Sequence, residues 1–358
     1  MPKAEAVLGG SDALQTAKEN NKVRAEDSSV HEWYRFVLSY PPHLVRDYLG
    51  RTGAEPDGLV LDPFCGTGTT LVECKKLGIR SMGIEPNPML CFASRVKVNW
   101  TVDPNGLFQH ALKVADIASA KLQKEGLEEG HHLPLFRGSA QRKNLRLRTL
   151  AAETNDLLLA NSISPLPLHR VLVLLEVLQQ AGDDRFLDHE QLALARAIVH
   201  GASNLEFGPE VGVGSPKEDA PVVSLWLAGM RAIADDLKKV QGCSQVESIV
   251  QQGDARCPMN SIRPDSVDVI VTSPPYPNEK DYTRTTRLES VLLGFVQTKH
   301  DLRTLKQALL RSNTRVVFKG DRDDLFVAGH REIQRIADEI EQRRLDLGKT
   351  SGFERLYA

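Results

Sequence analysis

Cysteine is sparse and unpaired in this sequence: five residues, at 65, 74, 91, 243 and 257, with no two spaced as CxxC. An odd, scattered set argues against a disulfide framework and suits reduced thiols in the cytoplasm. Net charge is also missing. The 45 Lys and Arg nearly balance 47 Asp and Glu, leaving −2 over 358 residues, so no global field draws the chain to nucleic acid or anionic lipid. Any polyanion must be met by a local patch. No apolar run reaches membrane-spanning length, and no secretory leader is recognisable. Internal repeats and low-complexity tracts are absent. His131 and His132 lack a matching ligand set, which argues against a metal site. These absences leave a soluble, cytoplasmic protein with ample material for a core, loosely ordered over residues 1–30.

Structure is expected from about residue 31. "WYRFVLSYPPHLVRDYL" mixes aromatics with a Pro-Pro break and then an amphipathic helix from about His43. Two short apolar runs follow, "GLVLDP" (58–63) and "RSMGIEP" (80–86), each ending at an acid before proline. The helix between them has capping-box spacing, Thr70 to Glu73, and a stop at Gly78. Strand, helix, strand with tight connections reads as a parallel βαβ unit. Residues 101–245 carry helical patterns, over 107–124, 140–160, 168–181, 188–200 and 221–240. Strand character returns in "ESIVQQGDAR" (247–256) and "DSVDVIVTSPPY" (265–276). The expectation is a parallel α/β sheet interrupted by a helical insertion between its second and third strands. After Tyr282 the pattern is helical, with "TRVVFK" (314–319) as the one further strand candidate.

"LDPFCGTGTTLVE" sets Gly66 and Gly68 between a strand and a helix, where glycine lets the backbone approach a ligand and the helix start offers free N–H groups. Glu85 ends the next strand seventeen residues after Gly68. A carboxylate there can accept both hydroxyls of an adenosine ribose. The motif is not a dinucleotide fingerprint, because Leu71 stands where the third glycine belongs, and Asp62 would repel a pyrophosphate. No GxxxxGK is present for a nucleoside triphosphate. Asp62 suits an ammonium group instead. S-adenosylmethionine carries both an adenosine and an ammonium and so fits Asp62 and Glu85 together. Asp254, at the end of the third strand, is a candidate acceptor for the adenine amino group, or a helix N-cap.

The fourth strand runs into Ser273-Pro274-Pro275-Tyr276 and must stop there. In a sheet of this kind it ends beside the first strand, facing the cofactor crevice. Two prolines fix φ and hold the carbonyls of Ser273 and Pro274 outward as acceptors. An exocyclic amino nitrogen is planar and a poor nucleophile. Accepting its two protons at the Ser273 side chain and the Pro274 carbonyl favours the pyramidal form and aims its lone pair at a methyl donor. Tyr276 offers a face on which an extruded base can stack. The alternative is a Pro-Pro turn with Tyr276 in the core.

On "DPFCGTGTT" and "TSPPY" the sequence resembles the S-adenosylmethionine-dependent amino-methyltransferases of DNA, and "YPPHLVRDYL" resembles their segment beside the methionine end of the cofactor. "WYRFVLSYPPHLVRDYL" and "DYTRTTRLE" are similar to a group of bacterial site-specific enzymes. The resemblance spans roughly 31–100 and 245–358. It implies a Rossmann-like methyltransferase fold with a cofactor-binding half (31–100), a helical insertion that is a candidate for target recognition (101–245), and a catalytic-loop half with a helical end (246–358). It implies S-adenosylmethionine held by Asp62, Phe64, Gly66, Gly68, Thr70, Glu85 and Asp254, and catalysis by Ser273, Pro274, Pro275 and Tyr276. Ser at position 273 is typical of cytosine-N4 enzymes, while Asp or Asn there is typical of adenine-N6 enzymes. No cysteine follows a proline, which excludes cytosine-C5 chemistry.

Double-stranded DNA is the implied partner. The basic stretch "RGSAQRKNLRLR" (137–148), with Arg142, Lys143 and Arg146, and then Arg284, Arg287, Arg311 and Arg315, are the candidate phosphate contacts. Asn278, Glu279 and Tyr282 are candidates for the base pocket. The 82 residues after Tyr276 are mostly helical, so the C-terminal strands of such a sheet are expected to be lacking, or supplied by a partner fragment. Adenine-N6 methylation, RNA-base or protein-glutamine methylation, and a truncated non-catalytic binder remain as alternatives.

Overall fold

Pro41 and Pro42 turn an extended segment into helix α1 (Pro42–Thr52), and Gly53, at φ +67°, stops it. The protein is described here by a computed structural model covering residues 23–127, 146–208, 210–257, 262–276, 281–310 and 323–348. The two acid-terminated runs become parallel neighbours, β1 (Leu59–Asp62) and β2 (Arg80–Glu85), joined through α2 (Thr69–Lys76). Helix α3 (Pro88–Lys97), which the sequence reading passes over, is capped by Asn87, whose side chain accepts from the N–H groups of Met89 and Leu90.

Between β2 and the next strand of this sheet lie α4 (Pro104–Lys124), the short α5 (Ala152–Asn155), α6 (Pro165–Ala181), α7 (Leu187–Arg196), a π-turn at Ala197–Ala202, a hairpin of β3 (Leu205–Phe207) and β4 (Val211–Val213), and α8 (Val222–Val240). Strands β5 (Ser248–Gln252) and β6 (Val269–Ile270) then complete the order β5-β2-β1-β6, every pair parallel. Helices α9 (Tyr282–Thr285), α10 (Arg287–Leu292), α11 (Lys299–Ala308), α12 (Asp323–Val327) and α13 (Arg331–Asp346) follow. The candidate strand at 314–319 lies outside the described residues. No described helix is long and apolar enough to cross a membrane.

One hydrophobic cluster runs from Val30 to Leu292 and takes in α2, α3, α4, α6, α7 and α8. The helices between β2 and β5 therefore share a core with those lying on the sheet. On the opposite face Ile249, Met82, Leu61 and Ile270 form one in-register row across the four strands. The inner two are buried and the outer two exposed.

Three local expectations give way to longer-range contacts. Residues 23–30, expected to be loose, hold a 3-10 turn at Ala25–Asp27, with Asp27 buried against Arg46 at 2.6 Å. The helix expected over 140–160 is reduced, among described residues, to Ala152–Asn155. Arg148 gives its N–H to His169 and pairs its guanidinium with Glu125 and Glu176, which holds residues 146–150 out of helix across α4 and α6. The capping box is also overridden. Helix α2 starts at Thr69 after Gly68, without a side-chain cap, because Glu73 is fully buried and engaged elsewhere.

Glu73 meets Arg46 at 2.5 Å, Lys76 at 2.9 Å and His31 at 2.7 Å. Burial holds His31 down at about 4, so it is neutral at pH 7 and meets Glu73 by a hydrogen bond. Burial works against the Glu73 carboxylate, but His31, Lys76 and Arg46 outweigh it and pull the group down to about 2 from 4.5. A depressed carboxyl stabilises the fold above its unfolded value and loses that contribution as pH falls through the folded one. Stability should therefore drop between pH 4.5 and about 2, and a Glu73→Gln protein should show a shallower loss over that window. Glu73→Ala, which leaves the buried His31 ring without its partner and frees the partly exposed Arg46 and Lys76, should cost about 1–3 kcal/mol in denaturant unfolding.

Candidate active site

The glycine turn follows β1 directly. Gly66 and Gly68 adopt φ +52° and +82°, and a Cβ on Gly68 would lie 2.4 Å from the Ser94 hydroxyl. Any other residue at 68 would be both strained and obstructed. Glu85, at the tip of β2, folds its carboxylate back on this turn. It accepts from the Gly66 N–H at 3.0 Å and from the Asn87 N–H at 2.8 Å. Burial drives the Glu85 carboxyl up to about 7, against the pull of those two N–H groups.

One pocket gathers seven of the eleven catalytic and cofactor candidates, leaving out Asp62, Gly68, Thr70 and Asp254. Phe64, Gly66 and Glu85 line it on one side and Ser273, Pro274, Pro275 and Tyr276 on the other, with Phe36, Cys65, Asn87 and Tyr282 between. Ala308, Leu309 and Leu310 close it, leaving a void of about 80 Å³. The Ser-Pro-Pro-Tyr loop is locked by its own aromatics. The Ser273 and Tyr276 hydroxyls lie 3.0 Å apart, the Tyr276 N–H donates to the Tyr282 hydroxyl at 3.0 Å, and Tyr282 stacks on Phe36. Ser273 and Tyr276 also line a second cleft, of about 420 Å³, with Val37, Pro41, Leu44, Tyr48 and Thr272. The loop is thus a wall shared by two cavities.

Other candidates stand apart from the pocket. Asp62 is fully buried, and its oxygens accept from the Thr272 hydroxyl at 2.7 Å, the Phe64 N–H at 3.1 Å and the Tyr40 hydroxyl at 3.1 Å. It is a bolt rather than an open ammonium site, because burial raises its carboxyl while these donors occupy it. Thr70, also fully buried, contacts the Tyr40 hydroxyl and donates to the Val271 carbonyl. Asp254 is held by Arg256 at 2.6 Å and accepts the Arg256 N–H within a turn, so it caps no helix. Arg287 donates to the Thr283 and Leu157 carbonyls, so its guanidinium is spent inside the fold. Arg284 sits beside it, its Nε buried without a partner among the described residues. Arg146 is exposed. Arg142, Lys143, Asn278, Glu279, Arg311 and Arg315 lie outside the described residues. Phe36, Asn87 and Thr272 were not legible as site residues, whereas Tyr40 opens the stretch likened to the segment beside the methionine end of the cofactor. The Asn-Pro helix start at 87–88 was the one local signal among them.

Residues 11–94 match the family model of DNA methylases, a span that takes in the glycine turn and Glu85 and ends before the Ser-Pro-Pro-Tyr loop. The chain is similar to DNA methylases. It is 27% identical to the Type II methyltransferase M.BsoBI of Geobacillus stearothermophilus over 296 residues, 80% of this chain and 56% of that protein. It is 39% identical to the Type II methyltransferase M.MjaII of Methanocaldococcus jannaschii over 69 residues, 19% of this chain and 13% of that protein. The chain thus spans about half the length of the first relative and far less of the second. No solved structure matches it significantly. DNA methyltransferases of this family use S-adenosylmethionine as methyl donor.

Asp62 joins β1, the Tyr40 segment and the strand that runs into the Ser-Pro-Pro-Tyr loop, so its partners should be energetically coupled. Asp62→Ala should lower unfolding stability by about 3 kcal/mol, since it leaves buried donors unpaired. A double-mutant cycle with Thr272→Val should return a coupling of about 0.5–3 kcal/mol in urea unfolding.

Proposed function

We propose that the protein transfers a methyl group from S-adenosylmethionine to an exocyclic amino group of a DNA base, cytosine N4 in the first instance, within a restriction–modification setting. The observation that carries the reading is the shared wall: Ser273 and Tyr276 face both the pocket with the glycine turn and the open cleft. A group held in the first cavity and one held in the second meet at that loop. The DNA methylase likeness of residues 11–94 supports the nature of the first.

The residues present fit the cofactor. Glu85 lines the pocket as an acceptor for two ribose hydroxyls, Phe36 and Phe64 offer apolar walls, and the turn at Gly66 and Gly68 brings backbone close. S-adenosylmethionine would supply the methyl group as an electrophile. The protein's own part is positioning. The Ser273 hydroxyl and the Pro274 carbonyl accept the amino protons, which localises the nitrogen lone pair and orients it for in-line attack. Tyr276, 42% exposed, presents a ring face for the extruded base. A nucleoside is larger than the void of about 80 Å³, so its entry requires Ala308, Leu309 and Leu310 to move aside. A serine hydroxyl both accepts and donates, which suits the ring-nitrogen acceptor next to the amino group of cytosine and favours N4 over adenine N6. The comparisons lend no support to a completing partner fragment, and none is invoked.

The test is incorporation of labelled methyl from S-adenosylmethionine into unmethylated duplex DNA, followed by nucleoside mass spectrometry. N4-methylcytosine is the expected product. N6-methyladenine would keep the mechanism and overturn the reading of Ser273, and no methylated base would sink both. Ser273→Ala and Tyr276→Ala should each cut turnover, Tyr276→Ala by the equivalent of about 1–3 kcal/mol of stacking. Because the Glu85 carboxyl sits at about 7, cofactor affinity measured by calorimetry should weaken as pH falls below neutrality. Glu85→Gln should remove that dependence.

A further inference from the structure

The Ser-Pro-Pro-Tyr loop is short of backbone donors. Pro274 and Pro275 carry no N–H, so the first backbone donor after Ser273 is that of Tyr276. It goes to a side chain from outside the loop, the Tyr282 hydroxyl, at 3.0 Å. Pro275 confines Pro274 to extended backbone. Fixing the Tyr276 end of the loop therefore fixes the direction of the Pro274 carbonyl.

Tyr282 is itself held at both ends. Its ring stacks on Phe36, with centroids 6.1 Å apart. Its carbonyl accepts from the Thr286 hydroxyl at 3.4 Å, and that hydroxyl accepts from the Asn87 side-chain N–H at 3.0 Å. The direction of the Asn87 amide is set by its oxygen, which accepts the N–H groups of Met89 and Leu90. The Asn87 backbone N–H donates to Glu85 at 2.8 Å. Glu85, Asn87 and Thr286 are all buried. A continuous path thus runs from the Glu85 carboxylate through Asn87, Thr286 and Tyr282 to the Tyr276 N–H. Buried polar groups in such a path have no bulk water to turn to, so each holds its neighbour in place. Tyr282 lines the pocket beside the glycine turn and not the open cleft that Tyr276 faces. That position suits a support for the loop rather than a contact to the base.

We propose that Tyr282 is a positioning residue for methyl transfer, its hydroxyl fixing the Ser-Pro-Pro-Tyr loop against the Glu85 end of the cofactor pocket. This rests on the DNA-methylating reading and adds to it a residue that acts through Tyr276. In-line attack tolerates little displacement, so loss of this anchor appears in turnover rather than in cofactor affinity.

The experiment uses the full chain with Tyr282→Phe, which keeps the ring on Phe36 and deletes the acceptor. With isotope-labelled tyrosine the protein gives only six tyrosine amide signals, and that of Tyr276 is assigned by its absence in Tyr276→Phe. Tyr282→Phe should move the Tyr276 amide proton upfield, as loss of a hydrogen bond does. In methylation of duplex DNA it should lower kcat about tenfold while the cofactor Kd from calorimetry stays within about twofold. Thr286→Val should show the same split, and Thr286→Ser, which keeps the hydroxyl, should restore turnover. An unmoved Tyr276 amide, or full turnover in Tyr282→Phe, would overturn the positioning role and leave the reaction standing. Weaker cofactor binding with kcat unchanged would do the same, since it makes Tyr282 a cofactor contact. An unsubstituted protein that methylates no DNA would overturn the reading beneath, and the role with it.

Discussion

Everything that gives this site its shape passes through one buried carboxylate. Asp62 ends β1 and accepts from Tyr40, 22 residues away, and from Thr272, 210 residues away, as well as from the Phe64 N–H at the start of the glycine turn. A buried charge without partners would be prohibitive, so the three donors must be in place together. That requirement sets the register between the aromatic segment before α1, the glycine turn and the Ser-Pro-Pro-Tyr loop. The parallel pairing of β6 with β1 brings the strand ends side by side. The Asp62 bridge to Thr272 fixes how the loop leaves them.

What the sequence could convey is what local chemistry decides. The β1–α2–β2 unit was readable because each strand ends at an acid before proline and the glycines between can do little else. The stop at Tyr276 was readable for the same reason, since two prolines cannot continue a strand. Capping at Thr70 was misread because Glu73, at the correct spacing, is taken by His31 and Arg46, residues whose proximity no window around position 70 reveals. The described part of the helix expected over 140–160 is cut short likewise, through the bonds of Arg148 to Glu125, Glu176 and His169. The β3–β4 hairpin has strands of three residues, too short for alternation to register.

The site residues divide along the same line. Glu85 and Ser273 to Tyr276 were legible from their place at strand ends, and the fold puts them around one pocket. Asp62 was equally visible as an acid, but whether it meets a ligand or another part of the chain depends on Tyr40 and Thr272. Asp254 is a parallel case, since Arg256, two residues on, claims it at 2.6 Å and also reaches Asp323 at 2.5 Å and the Gln307 carbonyl. This single arginine ties the end of β5 to the segment carrying Leu309 and Leu310, which close the pocket.

The distribution of charge follows from similar reasoning. The basic residues easiest to notice in the sequence are those that cluster along it, yet Arg148 and Arg287 are consumed by carboxylates and carbonyls of their own fold. A guanidinium that cross-links helices is not free to meet phosphate. With opposite charges nearly balanced over the chain, the field a partner meets locally is set by those cations that their own fold leaves unengaged, and the total says little about it.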